Sequence, residues 1–354
     1  MMTTLPSRAG HFCSALVAAM ALVGCSEAPP PRNLASARLL SISLAAAPEH
    51  GIVSLAADGA DDAERWLYRA PAGSEIRQLA VARDESFLVY SFVPPPQGNA
   101  RLFDRSALYR MDLTAPEGNA ERLIGGDTAG EYLLEPALSP DGRYCYHVRV
   151  AASDDAINAY SDVTLRRLDL RTGEVQDIIA NGIWPTVSPD GRKIAFVGVQ
   201  PLSQQRGLFL ANADGSKLEM LVRVGKFFDV DAPAFTPDGR HLVFAVAEQD
   251  TRIPAGQRRS LSSRLLSLIP INAAQAHNDH DVASDWWRVA TAGGEPERLT
   301  QQEQIMSYGA FAGSDGPFAY ATTNGIYLTN LSGDSPTVVR DEGVWMSMAW
   351  LGGR

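Results

Sequence analysis

The residues of this chain that could hold a metal ion lie close together in one long insertion, residues 248–285. His277 and His280 are three positions apart, and Asp279 and Asp281 lie between and after them. Imidazole nitrogens and carboxylate oxygens are common ligands of divalent transition metals. Because nothing in a loop forces four side chains to converge, an ordinary solvated acidic loop is the alternative. A divalent metal is therefore the one cofactor that the sequence suggests, and we expect no other.

The same insertion carries residue types that are typical of protein interfaces. Arg258, Arg259 and Arg264 precede a short apolar stretch, and Trp286 and Trp287 follow the acidic residues. Arginine and tryptophan are enriched at the energetic centres of protein interfaces. We predict that these five residues belong to a binding loop, with a neutral insertion at a tolerant surface site as the alternative.

The N-terminal residues predict export and lipid attachment. One basic residue, Arg8, precedes the apolar run 15–23, which would make about 14 Å of helix and is too short for a hydrocarbon core of about 30 Å. The run ends in Leu-Val-Gly-Cys25, which resembles a bacterial lipobox. That resemblance implies that residues 1–24 are a signal peptide and that Cys25 carries the lipid. An ordinary signal peptide with a chance cysteine is the alternative.

The residues after Cys25 predict a tether and a location. Residues 25–49 begin with the polar, proline-rich SEAPPPRN, which would hold a globular domain away from a membrane. In lipoproteins of this kind an Asp after the lipidated cysteine marks retention in the inner membrane, whereas here Ser26 follows. We therefore expect the outer membrane, with the protein facing the periplasm.

Composition excludes several classes of protein. The chain has 354 residues, 45% of them hydrophobic, and a formal net charge of −10. It is therefore neither disordered nor collagen-like, and its negative charge disfavours nucleic acid as a partner. After signal cleavage and lipidation one cysteine thiol, Cys145, would remain. Because it lies in an apolar strand pattern, we expect a buried, unreactive thiol.

Three near-identical segments predict the fold that positions these residues. They read PALSPDGRYCYHVRV (136–150), PTVSPDGRKIAFVGV (185–199) and PAFTPDGRHLVFAVA (233–247), with degenerate copies at 82–93 and 312–322. In each of the three clear copies Ser or Thr, Pro, Asp and Gly are the residues that a tight turn requires, so their predicted role is structural. The turn residues concerned are Asp141, Gly142, Asp190, Gly191, Asp238 and Gly239. The spacing of 48 or 49 residues is typical of propellers and solenoids.

A second repeated unit completes each copy. Six segments read as two-stranded hairpins, at 67–79, 108–124, 165–179, 208–222, 287–300 and 326–339. An aromatic residue recurs at one register as Tyr90, Phe196, Phe244 and Tyr320, and we expect it to pack between neighbouring sheets. His147 takes this position in its own copy, so we expect it to be buried by packing. Six four-stranded units predict an all-β, six-bladed β-propeller over residues 50–354.

The S/T-P-D-G-R pattern with its LY…DL…G…LT partner resembles the TolB-type, WD-like propeller repeat. The resemblance covers about residues 50–351 and implies a propeller of the cell envelope. It differs in two respects. The span between Cys25 and Ile52 has no room for the N-terminal α/β domain of TolB, and TolB is a soluble periplasmic protein and not a lipoprotein. The strand-like 344–350 has no partner after it, so we expect it to join the first blade and close the ring.

The predicted function is binding. Extra length lies between the second and third strands of the blades, at 94–106, 151–163 and 248–285, and loops gathered on one face of a rigid ring are a usual place for binding. We expect a monomeric, lipid-anchored propeller that binds an envelope protein or peptide or acts as a scaffold. A propeller hydrolase or lyase that uses the central funnel is the alternative, although the sequence suggests no catalytic residue. Glu135 and Asp231 are the acidic residues expected near the funnel.

Overall fold

The described residues are those of a computed structural model and cover 37–44, 50–59, 64–96, 105–114, 120–152, 160–200, 203–248, 283–301, 308–313 and 316–352. They form 24 strands in six four-stranded antiparallel sheets, which are the six blades of a propeller. This confirms the predicted fold. The described part of the chain contains no helix with the length and apolarity needed to span a bilayer.

The strands of the first three blades, from the centre outwards, are as follows. The first blade contains β24 (Trp345–Leu351), β1 (Arg38–Leu44), β2 (His50–Ala56) and β3 (Arg65–Arg69). The second contains β4 (Glu75–Val81), β5 (Phe87–Val93), β6 (Ala107–Asp112) and β7 (Ala120–Gly125). The third contains β8 (Glu131–Leu138), β9 (Tyr144–Ala152), β10 (Tyr160–Asp169) and β11 (Val175–Ala180).

The other three blades follow the chain in the same way. The fourth contains β12 (Gly182–Val187), β13 (Lys193–Val199), β14 (Arg206–Asn212) and β15 (Glu219–Val222). The fifth contains β16 (Asp229–Phe235), β17 (His241–Ala247), β18 (Asp285–Ala290) and β19 (Glu297–Arg298). The sixth contains β20 (Tyr308–Phe311), β21 (Phe318–Thr322), β22 (Gly325–Thr329) and β23 (Thr337–Arg340).

The first blade joins the two ends of the propeller. Strand β24 pairs antiparallel with β1, from Arg38 opposite Leu351 to Ser43 opposite Trp345. The predicted closure by N- and C-terminal strands in one blade is therefore confirmed. The boundary predicted for the tether is corrected, because β1 begins at residue 38 and not after 49.

The predicted hairpins are present in five of the six segments. The exception is 67–79, where β3 ends the first blade and β4 begins the second, so this segment links two blades. A short loop with Gly73 connects two strands here as it would in a hairpin. The segment lies between two different sheets, which local sequence does not reveal.

The repeated turns have the geometry that their residues predict. In the third blade Ser139 Oγ donates to Asp141 Oδ1 at 2.5 Å, and the amide of Arg143 donates to the same oxygen. The amide of Tyr144 donates back to Ser139 Oγ, and Gly142 has a φ of 68°. The same contacts recur around Asp190 and Asp238. These turns connect the first and second strands of their blades, and we call that side of the ring the repeat-turn face.

The recurring aromatic residue packs in the interior as predicted. Tyr90, Phe196, Phe244 and Tyr320 are all at most 2% exposed. The Tyr90 ring lies 5.6 Å from that of Tyr68 in the neighbouring blade, centroid to centroid. His147 is also fully buried at the equivalent position, as expected. Aromatic burial at one register therefore holds the blades together.

The insertions fall where they were expected. Residues 94–106, 151–163 and 248–285 lie mainly between the second and third strands of the second, third and fifth blades. Since neighbouring strands in a blade are antiparallel, these connections emerge opposite the repeat-turn face, on what we call the insertion face.

Candidate functional site

Six residues at one repeat position surround the centre of the propeller. In a blade with a clear repeat turn, the residue lies four positions before the Ser or Thr that begins the turn. In the other blades it occupies the equivalent position of the inner strand. We call them the floor ring, and its members are Gln78, Glu135, Trp184, Ala232, Tyr308 and Ser347. All six line one cavity.

Local departures from regular strand geometry bring the floor ring into this cavity. The strand register shifts next to Glu135, Trp184, Ala232 and Ser347, and φ at these residues is between 46° and 60°. In a regular strand successive side chains point to opposite faces. At these bulges two consecutive residues line the cavity instead, as Glu135 and Pro136 do.

The cavity is a funnel of about 620 Å³ that opens on the repeat-turn face. Its mouth includes prolines of three repeat turns, Pro140, Pro189 and Pro237. Its wall is mainly apolar and includes another three prolines, Pro136, Pro185 and Pro233. Because proline has no backbone N–H, this wall offers few hydrogen-bond donors.

Hydrogen bonds between neighbouring blades hold three polar side chains of the floor ring, those of Gln78, Glu135 and Ser347. The amide of Trp184 donates to Glu135 Oε2 at 2.5 Å, and the amide of Glu135 donates to Gln78 Oε1 at 3.4 Å. The amide of Leu79 donates to Ser347 Oγ at 3.1 Å. Since each bond crosses from one blade to the next, these polar side chains occupy fixed positions.

Glu135 is the acidic member of the floor ring. Its side chain is almost entirely buried, with the residue 5% exposed. Burial raises its pKa to about 7, although the hydrogen bond from Trp184 opposes that rise. Among the described residues no basic group forms an ion pair with it, and its Oε1 accepts no hydrogen bond. The carboxyl group therefore has one oxygen fixed and one oxygen available at the base of the funnel.

A second polar layer lies nearer the insertion face. Arg206 Nη1 is 2.9 Å from Asp229 Oδ1 and 2.5 Å from Asp231 Oδ1, and all three side chains are at least 90% buried. Arg77 Nη1 is 3.4 Å from Glu75 Oε2. Both guanidinium groups of this layer therefore already have carboxylate partners. Burial raises the pKa of Tyr308 in the adjacent floor ring, so its phenol is neutral.

Comparison with solved structures identifies the architecture. TolB from Acinetobacter baumannii is similar with a TM-score of 0.59 and 16% identity, over 89% of this chain and 67% of that chain. The nidogen of a nidogen/laminin complex structure also has a TM-score of 0.59, with 10% identity over 89% of this chain and 98% of that one. An oligogalacturonate lyase in complex with manganese has a TM-score of 0.50 and 15% identity, over 82% and 70% of the two chains.

The chain has the fold of a TolB-type propeller. Identities this low establish the fold alone. Neither a protein-family model nor a curated protein sequence matches the chain.

The predicted binding loop is only partly within the described residues of the TolB-type propeller. Arg258, Arg259 and Arg264 lie outside them. The prediction for Trp286 needs correction, because this residue is in β18 and only 2% exposed. Its ring packs at 4.7 Å from that of Phe318 in the next blade, so it is part of the interior and unavailable to a partner.

Trp287, the last residue of the predicted binding loop, is half-buried. Its ring lies 4.8 Å from that of Phe227, centroid to centroid, on the connection that leads into β16. The side chain is therefore partly accessible, and its role in binding stays a prediction.

The predicted metal ligands His277, Asp279, His280 and Asp281 lie outside the described residues, as does the predicted lipid attachment site Cys25. Within the described residues no group of three or more His, Cys, Asp and Glu side chains is arranged to hold a metal ion. The metal site therefore stays a prediction.

The described histidines lie away from the funnel. His50 Nε2 accepts a hydrogen bond from the amide of Ile76, whereas His147 is enclosed within β9. His241 begins β17 and is half-buried, and none of the three lines the cavity.

Sequence reasoning found part of the funnel. It placed Glu135 and Asp231 near the funnel: Glu135 lines it, and Asp231 lies on the inner strand β16 in the second polar layer. It missed the other five members of the floor ring. Gln78, Tyr308 and Ser347 belong to degenerate copies of the repeat, whereas Trp184 and Ala232 belong to clear copies. The fixed distance of four residues from the turn was the signal that could have identified them.

Proposed function

We propose that this propeller binds a segment of another protein of the cell envelope, and that the segment enters the funnel from the repeat-turn face. The observation that carries the proposal is the funnel of about 620 Å³, with its apolar wall and fixed polar floor. Ligand sites are commonly concave and mainly apolar, with a few fixed polar groups that orient what binds.

Two further observations support binding to a protein. The backbone of the funnel is part of a closed ring, so little ordering of the site itself would oppose association. The similar nidogen structure is that of a complex with laminin, so a related ring has a protein partner. For the location, the lipobox-like sequence ending at Cys25 supports lipid anchoring in the envelope, with the periplasmic side of the outer membrane as the proposed site.

The proposal is tested by obstructing the funnel. Ala80 lies in its wall and is half-exposed, so Ala80→Trp would place an indole in the cavity without replacing an interior side chain. Val338 on the outer strand β23 is 51% exposed, and Val338→Trp is the matched control. We expect Ala80→Trp to remove the crosslinked partners seen in intact envelopes and Val338→Trp to leave them unchanged.

A second variant distinguishes the two faces of the ring. Replacing residues 250–282 by a short Gly-Ser linker removes the predicted binding loop. If partners are lost with this replacement but persist in Ala80→Trp, binding occurs on the insertion face and the funnel proposal is wrong. Circular dichroism and thermal melting of each variant would show whether it is folded.

A further inference from the structure

The carboxyl group of Glu135 is the acidic group that a ligand would meet at the base of the funnel. Its Oε2 accepts the amide of Trp184, whereas Oε1 has no hydrogen-bond partner among the described residues. The residue is 5% exposed and lines the cavity. Since Oε1 is open to the cavity, a hydrogen-bond donor that enters the funnel can reach it, and a charge-assisted hydrogen bond at so buried a residue is strong.

The groups around this carboxyl group carry more negative than positive charge. The groups that act on it electrostatically are Arg77 from β4, Arg206 from β14 and Asp231 from β16. Arg206 is held by two aspartates and Arg77 lies beside Glu75. When Glu135 is ionised, the acidic groups of this region therefore outnumber the basic ones, and a ligand with a positive charge would reduce that excess.

Two aromatic residues that line the same cavity as Glu135 suit the same kind of ligand. The rings of Trp184 and Tyr308 lie 5.2 Å apart, centroid to centroid, and both residues belong to the floor ring. Trp184 is half-buried, so part of its surface is accessible from the cavity. Aromatic faces attract ammonium groups, most strongly where water is excluded.

The wall of the funnel favours a lysine side chain over a peptide N-terminus as the source of the ammonium group. Pro136, Pro185 and Pro233 provide no N–H groups, so the carbonyls of a peptide main chain would lose hydrogen bonds if they were drawn to the floor. A lysine side chain has four methylene groups that pack against apolar surface while its charged end reaches a polar site. A lysine therefore fits this funnel better than a peptide N-terminus.

We infer that the base of the funnel is a subsite for a lysine side chain of the bound protein segment, with its ammonium group on Glu135 and against Trp184. This inference rests on the proposed function, because it names the feature by which that segment is recognised. In outline, Glu135 Oε1 accepts a hydrogen bond from the ammonium group while Oε2 keeps the one from the Trp184 amide.

Defined peptides test the inference by isothermal titration calorimetry. The probes are acetyl-Ala-Ala-Lys-Ala-Ala-amide, the same peptide with norleucine for lysine, and the norleucine peptide with a free N-terminus. We expect the lysine peptide to bind at least about tenfold more tightly than either norleucine peptide, since truncating a buried charge pair has a large effect on affinity. Equal affinities would overturn the inference, as would tighter binding of the free N-terminus or no binding of the lysine peptide.

Two variants test whether the Glu135 carboxylate is the group that binds the lysine side chain. Glu135→Gln keeps an acceptor for the Trp184 amide but removes the charge, and we expect it to weaken the lysine peptide by about tenfold or more. Glu85→Gln removes a carboxylate at the mouth of the same cavity while keeping one acceptor for the amide of Gly352, and is the matched control. Equal effects of the two variants would contradict a specific role for Glu135.

The pH dependence provides a test on the unmodified protein, which holds even if Glu135→Gln does not fold. With a pKa of about 7 for Glu135, lysine-peptide affinity should fall about tenfold from pH 8 to pH 6, as the carboxylate takes up a proton. Affinity that does not change with pH would argue against the carboxylate. If the lysine peptide fails but envelope crosslinks at the funnel persist, the lysine subsite is wrong and the proposed function stands. If the crosslinks are also absent, both fail.

Discussion

Removing strand β24 should unfold the propeller, because this strand closes the ring. Truncation before residue 344 leaves β1 without its inner partner and removes the side chains of Trp345, Met346, Met348 and Trp350. These four residues are between 1% and 8% exposed. Complete burial of one large apolar side chain contributes roughly 1.5–3 kcal/mol, so the four together contribute roughly 6–12 kcal/mol. That is comparable to the whole stability of a typical domain, about 5–15 kcal/mol.

Single substitutions give a measurable version of the same experiment. Trp350 is 8% exposed and its Nε1 donates to the carbonyl of Ala310 in the neighbouring blade at 3.0 Å. We expect Trp350→Ala to lower the free energy of unfolding by about 3–5 kcal/mol, as for other buried aromatic side chains. Val338→Ala, at a position 51% exposed, should change it by less than about 0.5 kcal/mol.

Urea denaturation followed by far-UV circular dichroism measures these differences. The truncated chain should show no cooperative transition, and Trp350→Ala should unfold at a lower urea concentration than Val338→Ala. A truncated chain with the transition of the full-length protein would refute the reasoning, because the ring would then be closed by other contacts. Equal midpoints for the two single variants would contradict the estimated contribution of Trp350.

Three further predictions concern His147, Cys145 and Cys25. Burial lowers the pKa of His147 to about 4, below its usual 6.5, so protonation of the unfolded chain should remove roughly 3 kcal/mol of stability between pH 6.5 and 4. His147→Phe should abolish this part of the pH dependence in urea melts, and an unchanged pH profile would contradict it. Burial raises the pKa of Cys145 to about 12, so iodoacetamide should label it in urea but not in the native protein, and equal labelling rates would exclude a buried thiol. Cys25→Ser should abolish fatty-acid labelling and release the protein from membranes, whereas retained labelling would disprove lipid attachment at this residue.

The framework of the fold could be predicted because its signals are local. Each repeat turn is specified by four consecutive residues, Ser or Thr, Pro, Asp and Gly. Gly142 has the positive φ that this pattern requires. The buried aromatic at one register, such as Phe196, follows from strand alternation alone. Neither feature depends on which strand lies alongside.

Features that depend on pairing between distant strands were predicted less well. Strand β1, Arg38–Leu44, has no repeat turn before it, because the inner strand of its blade comes from the other end of the chain. The sequence alone therefore predicts that these residues belong to the tether. Likewise β3 and β4 resemble a hairpin locally but belong to different sheets. The sequence predicts a loop position for Trp286 because composition does not show where the insertion ends and β18 begins.

The candidate site depends on a feature that a single sequence cannot reveal, the register shifts of the inner strands. Glu135, Trp184 and Ala232 each precede a proline and adopt a left-handed conformation, which costs about 1–3 kcal/mol at each residue. A regular strand would avoid this cost, but it would direct only one of two consecutive residues to the centre. The bond from Trp184 to Glu135 shows how the ring holds one such residue, because the amide at one bulge is bound by the side chain at the bulge before it. The turns thus determine the framework, whereas one position in each inner strand determines the chemistry of the funnel. Floor-ring substitutions that keep these hydrogen bonds should therefore alter what the funnel binds while circular dichroism shows the six blades intact.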